Sequence, residues 1–290
     1  MIKRICIIGV GLIGGSLAKD LKREGLCGEV IGCSRRRENL ERARELGIVD
    51  AYDVDPAKAV AGADMVVLAV PLGAMAGVLT SLRAGLDAQA VLTDVGSAKS
   101  SVLQAVQAAF GVIPENFVPA HPIAGTEYSG VEAAVDGLYE GHRVILTPVA
   151  ETRPAATLRV RDMWQAVGAE VLEMDPTHHD EVLAATSHLP HMLAYTLVDM
   201  LGRMEERVEM FRYAAGGFRD FTRIASSDPQ MWHDICIANR DALLGAMEHF
   251  QADLGVAIEA IRDGDGKSIK ALFERAKALR DRYARESNTG

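Results

Sequence analysis

Gly9-Val10-Gly11-Leu12-Ile13-Gly14 decides the fold of this chain, because it follows the apolar run Arg4-Ile5-Cys6-Ile7-Ile8 directly and opens a helical pattern over residues 12–24. A strand, a glycine-rich turn and a helix in that order form the context in which this spacing binds a dinucleotide. Gly9 permits the tight turn, Gly11 lets a pyrophosphate approach the backbone, and Gly14 allows close packing of helix on strand. The phosphates would rest on the amides of the helix N-terminus, which begins at Leu12 and Ile13.

Outward from this turn, short β-branched runs at 4–8, 30–33, 65–70, 90–93, 117–120, 143–147 and 170–174 alternate with helical patterns over 12–24, 37–46, 98–109 and 154–167. The alternation predicts an α/β domain on a doubly wound parallel sheet. Residues 74–82 read as helix or loop. After Asp175-Pro176-Thr177 the strand-like runs cease, which places a domain boundary between a dinucleotide-binding domain, 1–176, and an all-α domain, 177–290. In the second, Ser227-Asp228-Pro229 joins a capping residue to a first-turn proline and starts a long helix. Along it Leu243, Met247, Phe250, Leu254, Ile258 and Ile261 recur at steps of three or four. A helix of about thirty residues extends roughly 50 Å, further than a small domain covers. A second copy of the chain is therefore the expected partner of that stripe, with packing against 180–200 and 267–285 as the alternative.

The composition, 49% hydrophobic and 24% charged over 290 residues, is that of a globular chain with room for two domains. A net charge of −9 leaves no basic footprint, so neither nucleic acid nor an anionic membrane is expected as a partner, and an anionic substrate needs locally placed arginines. Cys6, Cys27, Cys33 and Cys236 lie in no metal-ligand spacing, so reduced thiols in a cytoplasmic protein and no bound metal are expected. Lys3 and Arg4 before an apolar run imitate a secretory leader, but Gly9, Gly11, Gly14 and Gly15 suit an insertion helix poorly. The run 65–79 is too short to span a bilayer and is broken by Pro71 and Gly73, so no membrane span is expected.

At the end of the second strand, where NAD-selective sites place an acidic residue for the ribose hydroxyls, this chain has Ser34 followed by Arg35, Arg36 and Arg37. Guanidinium groups there suit the 2′-phosphate of NADP, which is favoured over NAD; the alternative places these arginines in the solvated first turn of the next helix. His121-Pro122-Ile123-Ala124-Gly125-Thr126-Glu127 ends another strand with an imidazole. Its ordinary pKa of about 6.5 lets it take a hydroxyl proton while hydride leaves the same carbon, which points to a nicotinamide-dependent dehydrogenase. In Asp94-Val95-Gly96-Ser97, Ser97 reads either as a bridge between that histidine and a substrate hydroxyl or as the N-cap of the following helix. His188 and His191 flank a proline and, if helical, share a face; either alone reads as a hydrogen-bonded core histidine. Arg223 has the planar fork for a substrate carboxylate, with Arg219 and Arg143 as alternatives and Asp220 as its holder. His178-His179-Asp180 reads as a helix cap.

With these motifs, and with Ser187-His188-Leu189-Pro190-His191 and the run from Gly216 to Ala225, the chain resembles the prephenate and arogenate dehydrogenases of tyrosine biosynthesis over nearly its whole length. The resemblance implies a Rossmann-type domain followed by an all-α dimerisation domain. It also implies oxidative decarboxylation, in which a cyclohexadienol with a ring carboxylate gives up hydride and carbon dioxide and becomes a phenol. His121 matches the family's catalytic histidine and Ser97 the serine that orients it; the resemblance also implies substrate-pocket or structural work near the domain interface for His188 and His191, and a ring pocket lined by Gly216 and Trp232, with core packing as the alternative for Trp232. No regulatory or mutase domain of the kind fused to some relatives is expected within these residues. The competing readings are a β-hydroxyacid or imine reductase of similar build, and a non-catalytic NADP-sensing module that would have no use for His121 and Arg223 in one cleft.

Overall fold

The computed structural model describes residues 1–126, 128–204 and 212–287. It divides into two compact units, Met1–Leu243 and Leu244–Gly290. In chain order the first unit contains β1 (Ile2–Ile8), α1 (Leu12–Arg23), β2 (Cys27–Cys33), α2 (Arg37–Glu45), β3 (Ala51–Asp53), α3 (Pro56–Ala59), β4 (Met65–Leu68), α4 (Met75–Leu82), β5 (Val91–Asp94), α5 (Lys99–Phe110), β6 (Phe117–Val118), β7 (Ala120–Pro122), β8 (Arg143–Leu146), α6 (Pro154–Ala166) and β9 (Glu170–Glu173). From there on every described element is helical: α7 (Pro176–Leu183), a π turn (Ala184–His188), α8 (Leu189–Gly202), α9 (Gly216–Thr222), α10 (Pro229–Ala238) and the start of α11 (Arg240–Arg262). The expected boundary at 176/177 thus lies inside the first unit, at the start of α7.

Six parallel strands in the order β3-β2-β1-β4-β5-β6 form the doubly wound Rossmann sheet. Successive side chains on a strand point to opposite faces. Ile5 and Ile7 therefore enter the layer holding Leu17 and Leu21 of α1 and Trp164 of α6. Cys6 and Ile8 enter the layer holding Leu79 and Leu82 of α4 and Val102 and Val106 of α5. Burial on both faces explains why these strands read as unbroken apolar runs. The segment 74–82 is helical: a 3-10 turn over Leu72–Ala74 leads into α4.

The structure corrects the expected strand over 117–120. Pro119 has no amide with which to continue the ladder, and the chain divides there. Phe117 and Val118 stay with β5, whereas Ala120–Pro122 turns away to pair antiparallel with β8, which pairs parallel with β9. The strands anticipated near 143 and 170 therefore belong to a second, three-stranded sheet. The short edge strand β3 had no sequence signal beyond its flanking Asp residues.

The long helix expected from Pro229 also breaks. Asp228 caps it as anticipated, accepting from the Met231 amide, but α10 ends at Asn239. The Asn239 side chain is drawn into tertiary bonds described below, and its backbone leaves the helical region at φ −111°, ψ 34°. The helix that follows has 23 residues, about 35 Å rather than 50.

The unit Leu244–Gly290 holds the rest of α11 and α12 (Gly266–Ser287). Gly264 turns the chain at φ +66°, and the Asp265 carboxylate caps α12 by accepting from the amides of Lys267 and Ser268. Of the anticipated stripe, Leu243 is buried, while Phe250, Leu254, Ile258 and Ile261 stand exposed on α11. Among the described residues no helix is long and apolar enough to cross a membrane.

Candidate active site

The glycine turn shows three distinct constraints. Gly9 sits at φ +102°, and a Cβ there would lie 2.1 Å from the Ala69 carbonyl oxygen. A Cβ on Gly14 would lie 2.3 Å from the Gly9 carbonyl oxygen and 2.8 Å from Ile7 Cγ2. One on Gly11 would meet nothing within 4 Å. Gly11 instead faces a cavity of about 270 Å³, bordered also by Gly9, Ser34, Arg35, Asn39 and Pro71. No side chain caps α1 and no acidic residue occupies its first turn, so the first amides of the helix, at Leu12 and Ile13, are left without a side-chain acceptor, with the positive end of the helix dipole behind them. A dinucleotide's pyrophosphate fits these features. The Ile13 carbonyl accepts from the buried Tyr139 hydroxyl at 2.6 Å, and Asn39 donates to the Val10 carbonyl at 2.9 Å, which ties the turn to its surroundings. Arg35 is exposed at the cavity edge, while Arg36 is the N-cap of α2 and Arg37 its first residue.

His121 lies on β7 and is buried. A fully buried ion pair sets the position of this strand. Lys99 Nζ is 2.6 Å from Asp94 Oδ2 and donates at 2.6 Å to the Ala120 carbonyl, while the Ala120 amide donates to Asp94 Oδ1 at 3.2 Å. Strand β7 is thereby clamped to the carboxyl end of β5, where open α/β sheets place their ligands. From the opposite side comes α7: His121 Nδ1 is 2.9 Å from His179 Nε2, and His179 Nδ1 is 2.9 Å from Asp180 Oδ1. Asp180 accepts the amides of Lys99 at 2.7 Å and Ser100 at 2.8 Å.

This arrangement corrects two local readings. The cap of α5 is not Ser97, which is half-buried just ahead of the helix, but Asp180 reaching across from α7. The cap of α7 is Asp175, which accepts from Thr177 and His178. His179 and Asp180 consequently point inward, and the sequence reading missed both as site residues. The one available signal was Asp175-Pro176, a better cap-and-proline pair than the residues after it.

His188 ends the π turn and His191 lies on the first turn of α8, beside Pro190. They do share a face. The His191 ring stacks on Trp232 with centroids 3.5 Å apart, and His188 meets the same indole edge-on at 6.1 Å. Asn239 Nδ2 donates to the Asp180 carbonyl at 2.8 Å and lies 3.1 Å from His188 Nδ1. His191 Nδ1 donates to the Ser187 carbonyl at 2.9 Å. The Trp232 indole N–H is buried without a hydrogen-bond partner among the described residues.

Electrostatics favours neutral rings throughout. Burial above all, with the neighbouring titratable rings of His179 and His188 and the Lys99 ammonium opposing a further positive charge, holds His121 well below the ordinary histidine range. Burial also lowers His179, against the pull of Asp180, and takes His188 down to about 4. His191 is lowered by burial and then by the guanidinium of Arg223, which lies on a turn that packs against α8. Burial alone would raise the Asp180 carboxyl, but the donors from His179, Lys99 and Ser100 outweigh it and hold it below the usual carboxylate range.

The sequence-derived residues fall into distinct groups. His121, His188, His191, Trp232 and Arg223 share one neighbourhood, with Arg223 exposed in the short turn after α9. Gly216 and Arg219 are exposed on α9, which packs against α8. Arg143 lies elsewhere, paired with Glu170 at 3.1 Å on the second sheet. Among the described contacts Asp220 forms no ion pair with Arg223. Glu127 of the His121 motif lies outside the described residues.

Known proteins bear out this architecture. The family model described as "Prephenate dehydrogenase, nucleotide-binding domain" matches residues 17–173, and that described as "Prephenate dehydrogenase, dimerization domain" matches 175–275. A cyclohexadienyl dehydrogenase from Zymomonas mobilis is 40% identical over 96% of this chain and 95% of its own length. The crystal structure of prephenate dehydrogenase from A. aeolicus in complex with hydroxyphenyl propionate and NAD+ superposes with a TM-score of 0.87 at 38% identity, over 94% of this chain and 96% of that one. The Synechocystis arogenate dehydrogenase structure gives a TM-score of 0.81 at 28% identity, over 97% and 99% of the two chains.

Proposed function

This chain belongs to the prephenate dehydrogenase family, and we propose that it oxidatively decarboxylates prephenate to 4-hydroxyphenylpyruvate in tyrosine biosynthesis, with arogenate as the alternative substrate. The observation that carries this reading is the buried, neutral His121 beside a cluster that combines a flat aromatic wall with a guanidinium. A cyclohexadienol carrying carboxylates needs that combination.

When bound in the cavity bordered by Gly9, Gly11, Ser34 and Arg35, a nicotinamide dinucleotide would supply the hydride acceptor. The chain's residues do the remaining work. His121 accepts the ring hydroxyl's proton at Nε2, because its Nδ1 is already engaged with His179. Ser97, half-buried at the carboxyl end of β5, orients the hydroxyl towards it. Arg223 seats a carboxylate through its planar fork. His188, His191 and the unpartnered indole N–H of Trp232 supply polar contacts around the ring, and Gly216 leaves room at the start of α9. Because His121, His188 and Trp232 are buried, charge developing on His121 meets fixed dipoles as well as water, which strengthens each interaction.

Arg35 and Arg36, with Ser34, select NADP by pairing with its 2′-phosphate, NAD being the alternative. Residues 1–176 hold the dinucleotide, and 177–290 provide the substrate wall and a homodimer contact through the open apolar face of α11. The enzyme works in the cytoplasm.

Mixing the protein with prephenate or arogenate and either dinucleotide, and following nicotinamide absorbance, tests the reading. Turnover of prephenate with NADP+ is expected, and Arg35→Ala should erase the preference for NADP+ over NAD+. No reduction with either substrate and either dinucleotide would overturn the assignment.

A further inference from the structure

Resting on the assignment of His121 as the proton acceptor, we infer that His179 and Asp180 are positioning residues that lock His121 in the tautomer with a bare Nε2. An ionised carboxylate only accepts, and Asp180 already receives two backbone amides, so the His179 Nδ1 lying 2.9 Å from Oδ1 must carry its proton. A neutral His179 then has a bare Nε2, which can only accept. His121 Nδ1, 2.9 Å away, must therefore be the protonated nitrogen of its ring. The lone pair of a neutral His121 is left on Nε2, the nitrogen free to meet substrate. The opposite tautomer would set two bare nitrogens against each other inside the protein and forfeit the hydrogen bond, a costly state for buried polar groups.

Three further bonds keep the pair from rotating away. The two amides that hold the Asp180 carboxylate belong to the first turn of α5, and its own carbonyl accepts from Asn239. That Asn239 amide group also gives its second proton towards His188 Nδ1, which leaves His188 with the opposite tautomer and a donating Nε2–H. The site therefore presents an acceptor nitrogen at His121 and a donor nitrogen at His188. When His121 takes a proton at Nε2, the O–H bond of the substrate breaks and an N–H bond forms. The resulting cation is stabilised through His179 by the Asp180 charge without a second proton transfer. His179 is fully buried, so the proton leaves from the Nε2 side by which it entered.

Long-range ¹H–¹⁵N spectra of the native protein labelled at histidine, without ligands, test this directly, with His121→Asn for assignment. His121 should show a protonated Nδ1 and a bare Nε2; a protonated Nε2 overturns the inference, whatever the protein turns over. Kinetics give the second arm. His179→Phe should lower kcat about 100- to 10,000-fold, in line with loss of a positioned proton acceptor, with KM for substrate and Kd for NADP+ changing less than about threefold. His179→Gln, whose carbonyl oxygen can still accept from His121 Nδ1, should recover at least about tenfold of that loss. Equal impairment of the two variants, or an effect confined to KM, overturns the inference. If the phenylalanine variant does not fold, the native spectrum and the glutamine variant decide. Failure of the native protein to oxidise prephenate or arogenate would count against the functional assignment alone, because the spectrum reads the ring without either.

Discussion

Replacing Gly11 and Gly14 of one turn by alanine should produce opposite defects, and the structure sets the size of each. At Gly14 the new methyl would lie 2.3 Å from a backbone oxygen, 2.8 Å from Ile7 Cγ2 and 3.0 Å from Ala69 Cβ. The oxygen belongs to Gly9, itself held at φ +102° against Ala69, so it cannot retreat without opening the turn. Overpacking of this kind costs about 1–3 kcal/mol, and the better helix propensity of alanine returns up to about 1 kcal/mol. A net loss of about 1–2 kcal/mol lowers Tm by roughly 2–8 °C at the 2–4 °C per kcal/mol usual for chains of this order of size. At Gly11 the methyl meets nothing, and φ −118°, ψ −153° is extended backbone open to any residue. Stability should change by no more than about 0.5 kcal/mol, yet the methyl occupies the wall of the cavity where the pyrophosphate would lie. Affinity for NADP+ should fall at least about tenfold, equivalent to about 1.4 kcal/mol. Thermal unfolding and titration with NADP+ on both variants read the two effects separately. A stable Gly14→Ala, or a Gly11→Ala that melts early while binding normally, would refute this account of the turn.

Three other expectations concern the substrate wall, pH and assembly. Arg223→Lys keeps the charge but loses the bidentate fork, so KM for the substrate should rise at least about tenfold in steady-state assays while Kd for NADP+ holds. His121, His179, His188 and His191 all have folded pKa values below 6.5, so between those values and 6.5 the unfolded chain binds more protons. Stability is then complete above pH 6.5 and falls with acidification towards pH 4. His188 alone, at about 4 when folded, accounts for about 3 kcal/mol, and urea titrations at pH 7 and pH 4.5 should show the decline. Ile258→Glu, on the exposed face of α11, should convert a dimer to a monomer in light scattering; an unchanged mass would place the dimer contact elsewhere.

The dinucleotide half of this fold was legible because its signals are local. Glycines at fixed offsets and apolar runs of strand length each act within a few residues. Pro119 was equally local, but its effect, sending Ala120–Pro122 to another sheet, depends on where β8 lies. The break at Asn239 was invisible to helical periodicity, since asparagine is tolerated in a helix and only its bonds to Asp180 and His188 stop the chain there. For the same reason His121 and Arg223 stood out by residue type and motif, while His179 and Asp180 did not. Their partners lie 58 and about 80 positions away, and nothing in a linear pattern distinguishes an inward-facing helix residue from a cap.

The account's central claim is that His121 takes the substrate's hydroxyl proton, and the most direct measurement is kcat of His121→Ala with prephenate and NADP+, taken alongside Kd for NADP+. Cofactor binding should be native while turnover falls by at least about 100-fold. Turnover near the native rate would contradict the claim and return the acid–base role to another group.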